Sequence, residues 1–155
     1  MIFVTVGGIR AFERLVREMD RIAGELDEQV MMQIGSTDYE PKNCDYFRFM
    51  SRSDMEKLYA DARVVVSHAG MGSILSVQEH NKPLVLVPRM KRFGEVFDDH
   101  QLEIAREMES RGITVAYDMS NLQSEVKNVD ISPIELKGEP ALVHRLKEYL
   151  DQLEK

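Results

Sequence analysis

Cysteine is almost absent: Cys44 is the single one in 155 residues, so neither an intramolecular disulfide nor a thiolate cage around a metal can form. That usage suits a reducing compartment, and Cys44 reads as a buried or idle thiol. Long apolar runs are missing too. No segment approaches the roughly 18 residues that span a bilayer, and MIFVTVGGIR at the start has no basic flank before its short apolar run. Any membrane attachment is therefore expected to be peripheral. An excess of positive charge is lacking as well, with 20 Lys plus Arg against 27 Asp plus Glu and a net charge of −7. The basic residues form no stripe, so a nucleic acid is not expected as the partner. No GxxxxGK[ST] loop occurs, which removes the usual phosphate cradle of an ATP-hydrolysing site. Internal repeats and low-complexity tracts are also missing.

What is present is an alternation of short β-branched runs with helical patterns, over a length that suits one domain, residues 1–155. This predicts an α/β fold: a Rossmann-like, doubly wound parallel sheet with helices on its faces. Ile2–Val6 reads as the first strand, and Phe12, Leu15, Val16, Met19, Ile22, Ala23 and Leu26 fall at the spacing of an amphipathic helix. Strands are predicted at 29–34 and 46–49. Ser53 with Glu56 three residues later resembles a capping box opening a short helix through Tyr59. Val64–Ser67 suits a central strand, 72–80 a helix, Leu84–Val87 a strand, 99–111 a helix ending at Gly112, 113–117 a last strand and 141–153 a C-terminal helix.

Two glycine turns follow strands. Gly7-Gly8 ends the first, and Ser67-His68-Ala69-Gly70-Met71-Gly72-Ser73 ends the central one. In an open parallel sheet, ligands bind outside the carboxyl ends of strands, where helix N-termini present unbonded amides. Bare backbone from two such turns suits one anion, and a diphosphate is the natural candidate; the same glycines also serve simply to turn tight corners. The dinucleotide fingerprint is broken, because Leu75 stands where Gly70-x-Gly72 would need a third glycine. His68, at the strand end, is placed either to orient the loop or to bond a phosphate oxygen. His80 and His144 read as ordinary helix residues, and the ten methionines as core filler.

The runs SHAGMGSI, KPLVLVPR and DDHQLEIA, in this order and spacing, resemble the C-terminal, donor-binding half of GT-B glycosyltransferases. The likeness is to the small stand-alone group related to the catalytic subunit of the dolichol-linked N-acetylglucosamine transferase, and to bacterial capsule and exopolysaccharide subunits. Their PR…FGE…DDHQ stretch corresponds here to Pro88, Arg89, Phe93, Gly94, Glu95, Asp98, Asp99, His100 and Gln101. It covers roughly residues 1–117; beyond that the layout alone is similar. The resemblance implies UDP-sugar binding as donor substrate, with no other cofactor and no metal. Gly7, Gly8, Gly70, Met71, Gly72 and Ser73 would hold the diphosphate, beside His68. Asp99, His100 and Gln101 would meet the sugar, whose hydroxyls such side chains bond in pairs. Charge gathering on the departing diphosphate would be met by a helix N-terminus. Consistently, no Asp-x-Asp triplet occurs. The family glutamate that bonds the ribose falls at Ser76 here; Glu79, three residues on, lies near the same helix face and either reaches the ribose or is simply solvated.

A lone donor half implies a partner. The resemblance points to a membrane-anchored, acceptor-binding subunit and a lipid-linked sugar acceptor, placing the chain in the cytoplasm, peripheral at the inner membrane face through that partner. The catalytic base is left unassigned. Two segments are candidate docking surfaces: the stripe Leu142, Leu146, Tyr149, Leu150 and Leu153, and the loop 89–97, where Arg89, Lys91 and Arg92 interleave with Met90, Phe93 and Phe97. A non-catalytic nucleotide-sugar-binding or regulatory subunit would use the same turns and differs only in turnover. A response-regulator-like signalling domain would need an acidic cluster where Val6-Gly7-Gly8 stands.

Overall fold

In the computed structural model, the structure describes residues 1–129 and Glu148. Six parallel strands form one sheet: β1 (Ile2–Thr5), β2 (Val30–Gln33), β3 (Asp45–Phe47), β4 (Val64–His68), β5 (Leu84–Val87) and β6 (Thr114–Val115), in the order β3-β2-β1-β4-β5-β6. Between them run α1 (Glu13–Glu25), α2 (Arg52–Asp61), α3 (Met71–Glu79) and α4 (His100–Ser110), and α5 (Leu122–Asn128) follows β6. The predicted doubly wound α/β fold is the one found.

Alternating residues of each strand feed two separate cores, as side chains of a pleated strand must. Ile2, Val4, Val64, Val66, Val85 and Val87 pack with α1 and α5 on one face. Phe3, Val65, Leu84 and Leu86 pack with α2, α3 and α4 on the other. Helix α1 supplies the apolar stripe its sequence predicts, with Leu15, Val16, Met19 and Ile22 fully buried. Because both faces are covered, β4 and β5 read as uninterrupted apolar runs.

Several boundaries differ from the sequence reading. The cap of α2 is Ser51, whose side chain accepts from the Asp54 N–H at 3.2 Å; Ser53 lies inside the helix. The third strand stops at Phe47, leaving Phe49 exposed. The last strand shrinks to two residues, and the seven-residue α5 is too short to show a periodicity in the sequence. The C-terminal helix and its leucine stripe, with His144, lie outside the described residues.

β1 lies between β2 and β4, so successive crossovers leave in opposite directions and the sheet's switch point falls between the C-terminal ends of β1 and β4. Gln33 braces this edge from the β2 side. Its carbonyl accepts from Thr5 Oγ1 at 2.8 Å and the Val6 N–H at 3.1 Å, while its amide donates to the Gly7 and Arg48 carbonyls at 3.0 Å each. A Gln33→Leu substitution strands four polar groups in a buried setting, and a loss of about 2–4 kcal/mol is expected in urea denaturation. A loss within about 0.5 kcal/mol would show that water replaces the bridge.

Candidate nucleotide site at the switch point

The Gly7-Gly8 turn and the His68–Ser73 turn meet at this edge. Gly70 is the N-cap of α3 and makes no side-chain cap bond, so the first amides of that helix point outward unbonded by any side chain there. Thus one end of a helix, with its partial positive charge, faces the space above β1 and β4.

The glycines divide into two kinds. A Cβ at Gly70 would stand 2.0 Å from His68 Cε1, and one at Gly7 would stand 2.7 Å from His68 Nε2; Gly7 also has φ +80. Those two leave room for the imidazole, which is wedged between the turns. A Cβ at Gly8 or Gly72 would meet nothing within 4 Å. Bare backbone open to a ligand is therefore offered by Gly8 and Gly72, whereas Gly7 and Gly70 accommodate His68. Met71, the first residue of α3, buries its side chain in the core and so offers the edge its backbone alone.

His68 is bonded at both ring nitrogens, Nδ1 to Arg89 NH1 at 3.1 Å and Nε2 to Ser73 Oγ at 3.2 Å. Burial, reinforced by the Arg89 charge, pushes its pKa down to about 3, so the ring is neutral at ordinary pH. Arg89, which the sequence puts in a candidate docking loop, is 2% exposed and so takes no part in such a surface. Its guanidinium donates to the carbonyls of Val6 and Arg10 at 2.6 Å each and of Ala11 at 3.2 Å, and lies 4.8 Å from the Phe12 ring centroid. Burial lowers its pKa to about 10, leaving the cation intact near neutrality. Met90 is buried too, so of the basic and apolar side chains that made this loop a docking candidate Lys91, Arg92, Phe93 and Phe97 remain exposed.

The DDHQ stretch divides in the same way. Gln101 accepts the Arg89 N–H at 3.0 Å, and Asp99 accepts the Lys91 N–H at 3.0 Å, so both side chains anchor the loop after β5. Asp98 accepts the His100 N–H at 3.1 Å, a turn at the start of α4. His100 is exposed beside Asp98 and Glu103. Glu95, in the same loop, takes a two-pronged ion pair from Arg14 of α1, 3.0 Å in each prong.

Ser76 and Glu79 do share a cleft. Together with Gly72, His80, Tyr59, Met50, Arg52, Met55 and Glu56 they line a space of about 390 Å³ between α2 and α3. Ser76 Oγ bonds back to the Gly72 carbonyl at 3.0 Å, while the exposed Glu79 carboxylate is left beside the opening. His80 is held by the Ser76 carbonyl at 2.8 Å and stacks on Tyr59. Among the described residues, no group of three His, Cys, Asp or Glu side chains could hold a metal ion, and no helix is long and apolar enough to cross a membrane. Cys44 is half-buried, with its thiol pushed up to about 12 by burial.

A doubly wound parallel sheet with a helix N-terminus and open glycine backbone at its switch point is an α/β fold of the Rossmann-like class. Residues 1–149 match the model of the glycosyltransferase family 28 C-terminal domain, and the chain belongs to that family. Among curated proteins, the UDP-N-acetylglucosamine transferase subunit ALG13 of Homo sapiens is 30% identical over 126 residues, covering 72% of this chain and 10% of the relative. The subunit of the same name from Candida albicans is 29% identical over 92 residues, 59% of this chain and 30% of the relative. The chain thus spans less than a third of the length of these two relatives. In fold it matches the solution structure of ALG13, TM-score 0.61 at 20% identity, with 94% of both chains covered. The calicheamicin glycosyltransferase CalG4 gives TM-score 0.62 at 16% identity, covering 95% of this chain and 38% of that one. The expected kinship with glycosyltransferases is thereby shown at the level of family 28, and the two solved structures share the fold.

The depressed His68 pKa has a consequence for stability. The unfolded chain takes up a proton near pH 6.5, the folded chain only near 3, so stability is complete above about 6.5 and is lost as pH falls between the two. At pH 5 the loss from this group is on the order of 2 kcal/mol. In denaturant titrations at pH 7.5 and 5, His68→Gln should show a smaller drop than the parent protein; equal drops would mean the imidazole is not held neutral.

Proposed function

We propose that this chain is the catalytic, donor-binding subunit of a two-component glycosyltransferase that moves a sugar from a UDP-sugar to a lipid-linked saccharide acceptor. The observation that carries the reading is the convergence at one sheet edge of the α3 N-terminus, the open backbone of Gly8 and Gly72, the Ser73 hydroxyl and the Ser76–Glu79 cleft. The diphosphate sits over the α3 N-terminus, where outward amides stabilise the charge that grows as the glycosidic bond breaks. The uridine lies in the α2–α3 cleft, with Glu79 accepting from the ribose hydroxyls in place of a carboxylate at position 76. The sugar extends toward α4. There Gln101, whose carbonyl is held by Arg89, turns its amide to the donor's hydroxyls, and His100 and Asp99 stand at the rim.

The sugar is N-acetylglucosamine on this reading, supported by the name shared by the curated relatives. The acceptor and the facing half of the cleft come from a second, membrane-anchored subunit. The names of those relatives include the word subunit, and CalG4, which this chain covers to 38%, carries considerably more chain than one such domain. Through that partner the protein sits peripherally at the cytoplasmic face of a membrane. Transfer then proceeds by attack of an acceptor hydroxyl on the anomeric carbon, with the diphosphate leaving toward α3.

Calorimetric titration of the purified chain with UDP, UDP-N-acetylglucosamine and ADP tests the donor assignment. UDP is expected to bind in preference to ADP. Glu79→Ala should weaken UDP by about tenfold; ADP binding as tightly as UDP, or an unaffected Glu79→Ala, would remove the uridine assignment. Sugar transfer on adding the membrane subunit separates a catalytic from a purely binding subunit.

A further inference from the structure

We propose that Arg89 is a positioning residue of the donor site: it fixes His68 as the Nε2–H tautomer, which makes Ser73 Oγ an acceptor from the ring and leaves the serine proton to donate to the donor's diphosphate. This rests on the donor-site reading above.

The argument is one of hydrogen-bond direction. A guanidinium carries donors only, so the 3.1 Å contact between Arg89 NH1 and His68 Nδ1 requires a lone pair on Nδ1. A neutral imidazole has one N–H, which must then be on Nε2. Nε2 lies 3.2 Å from Ser73 Oγ and therefore donates to it. A hydroxyl that accepts from the ring keeps its own proton for another acceptor; the Tyr59 hydroxyl beside it is the acceptor within the protein, and Ser73 is in the first turn of α3, where the helix end favours an anion that takes that place. Reversal of the tautomer would oppose two N–H groups at Arg89 and turn the serine proton inward to Nε2. The site would lose one donor without losing any residue.

Arg89 is fixed well enough to impose this. Three of its other four donors are held by the carbonyls of Val6, Arg10 and Ala11, and its main-chain N–H by Gln101, so the guanidinium has little freedom to follow the ring. The imidazole has as little, because Gly7 and Gly70 close on it from two sides. Three loops, after β1, β4 and β5, are thus joined through a single cation, and their joint product is the direction of one hydroxyl.

The test begins on the free, full-length protein, without any donor. Long-range nitrogen–proton correlation spectra report which ring nitrogen of each histidine carries the proton, and His68→Gln identifies the His68 signals. A protonated Nε2 and bare Nδ1 are expected; a protonated Nδ1 overturns the proposal whether or not any nucleotide binds. UDP and uridine are then titrated into Arg89→Met, Arg89→Lys and Ser73→Ala. Arg89→Met should lose about tenfold in UDP affinity with uridine affinity little changed, and Arg89→Lys, which retains a donor, should recover part of the loss and the parent tautomer. Equal losses for UDP and uridine would indicate a merely structural role and overturn the proposal. If Arg89→Met fails to fold, Ser73→Ala decides: unchanged UDP affinity there overturns it, and a selective loss of about tenfold supports it. Should the parent chain not bind UDP at all, the donor reading fails, while the tautomer spectrum still tests the Arg89–His68–Ser73 chain on its own.

Discussion

A single buried cation ties the working edge of this protein together. Arg89 leaves the end of β5, crosses the switch point and bonds three carbonyls of the β1–α1 turn and the imidazole at the end of β4. A charge so placed is costly to desolvate, and it persists because carbonyl dipoles and the face of Phe12 surround it. The β1–α1 turn has few other means of keeping its shape, since Gly7-Gly8 is conformationally permissive and α1 begins without a side-chain cap. Cross-bracing from Gln33 on one side and Arg89 on the other does what local sequence cannot.

The same interaction changes the meaning of the glycines. Strand-end glycines in an α/β fold are commonly read as room for phosphate. Gly8 and Gly72 fit that description, but Gly7 and Gly70 make room for a histidine ring. The ring in turn is held neutral and bonded at both nitrogens, which makes it scaffold for the serine at the head of α3. On the proposed reading, the anion is met by helix-end amides and the Ser73 hydroxyl, while the neutral imidazole and the Arg89 cation face inward. Such an arrangement stabilises developing negative charge without burying an uncompensated one when the site is empty.

Much of the fold was legible in the residues, because both layers depend on local periodicity. The 3-4 spacing of Leu15, Val16, Met19 and Ile22 and the apolar runs at 64–67 and 84–87 give α1, β4 and β5 nearly to the residue. Periodicity fails where elements are short, so β6 and α5 were misjudged, and capping chemistry misled where Ser51 and Ser53 compete for one helix start. The site was legible as a set of loops; the bonds by which its side chains brace those loops were not. Asp99 and Gln101 were placed against the sugar, yet each has an oxygen bonded to the main chain of the β5–α4 loop, and Arg89 was placed on the surface.

The division follows from what each kind of information concerns. The sequence by itself determined the alternation of strands and helices, the two glycine turns at strand ends and the motif order shared with glycosyltransferase family 28, because all of these are properties of neighbours along the chain. Only the tertiary structure decided that Arg89 turns inward, that Gly7 and Gly70 serve His68, and that Ser76 and Glu79 share a cleft with α2. Residues 6, 68 and 89 are far apart in sequence and meet because parallel strands β1, β4 and β5 end at the same edge. The bonds they make there are set by that register, which no single segment encodes.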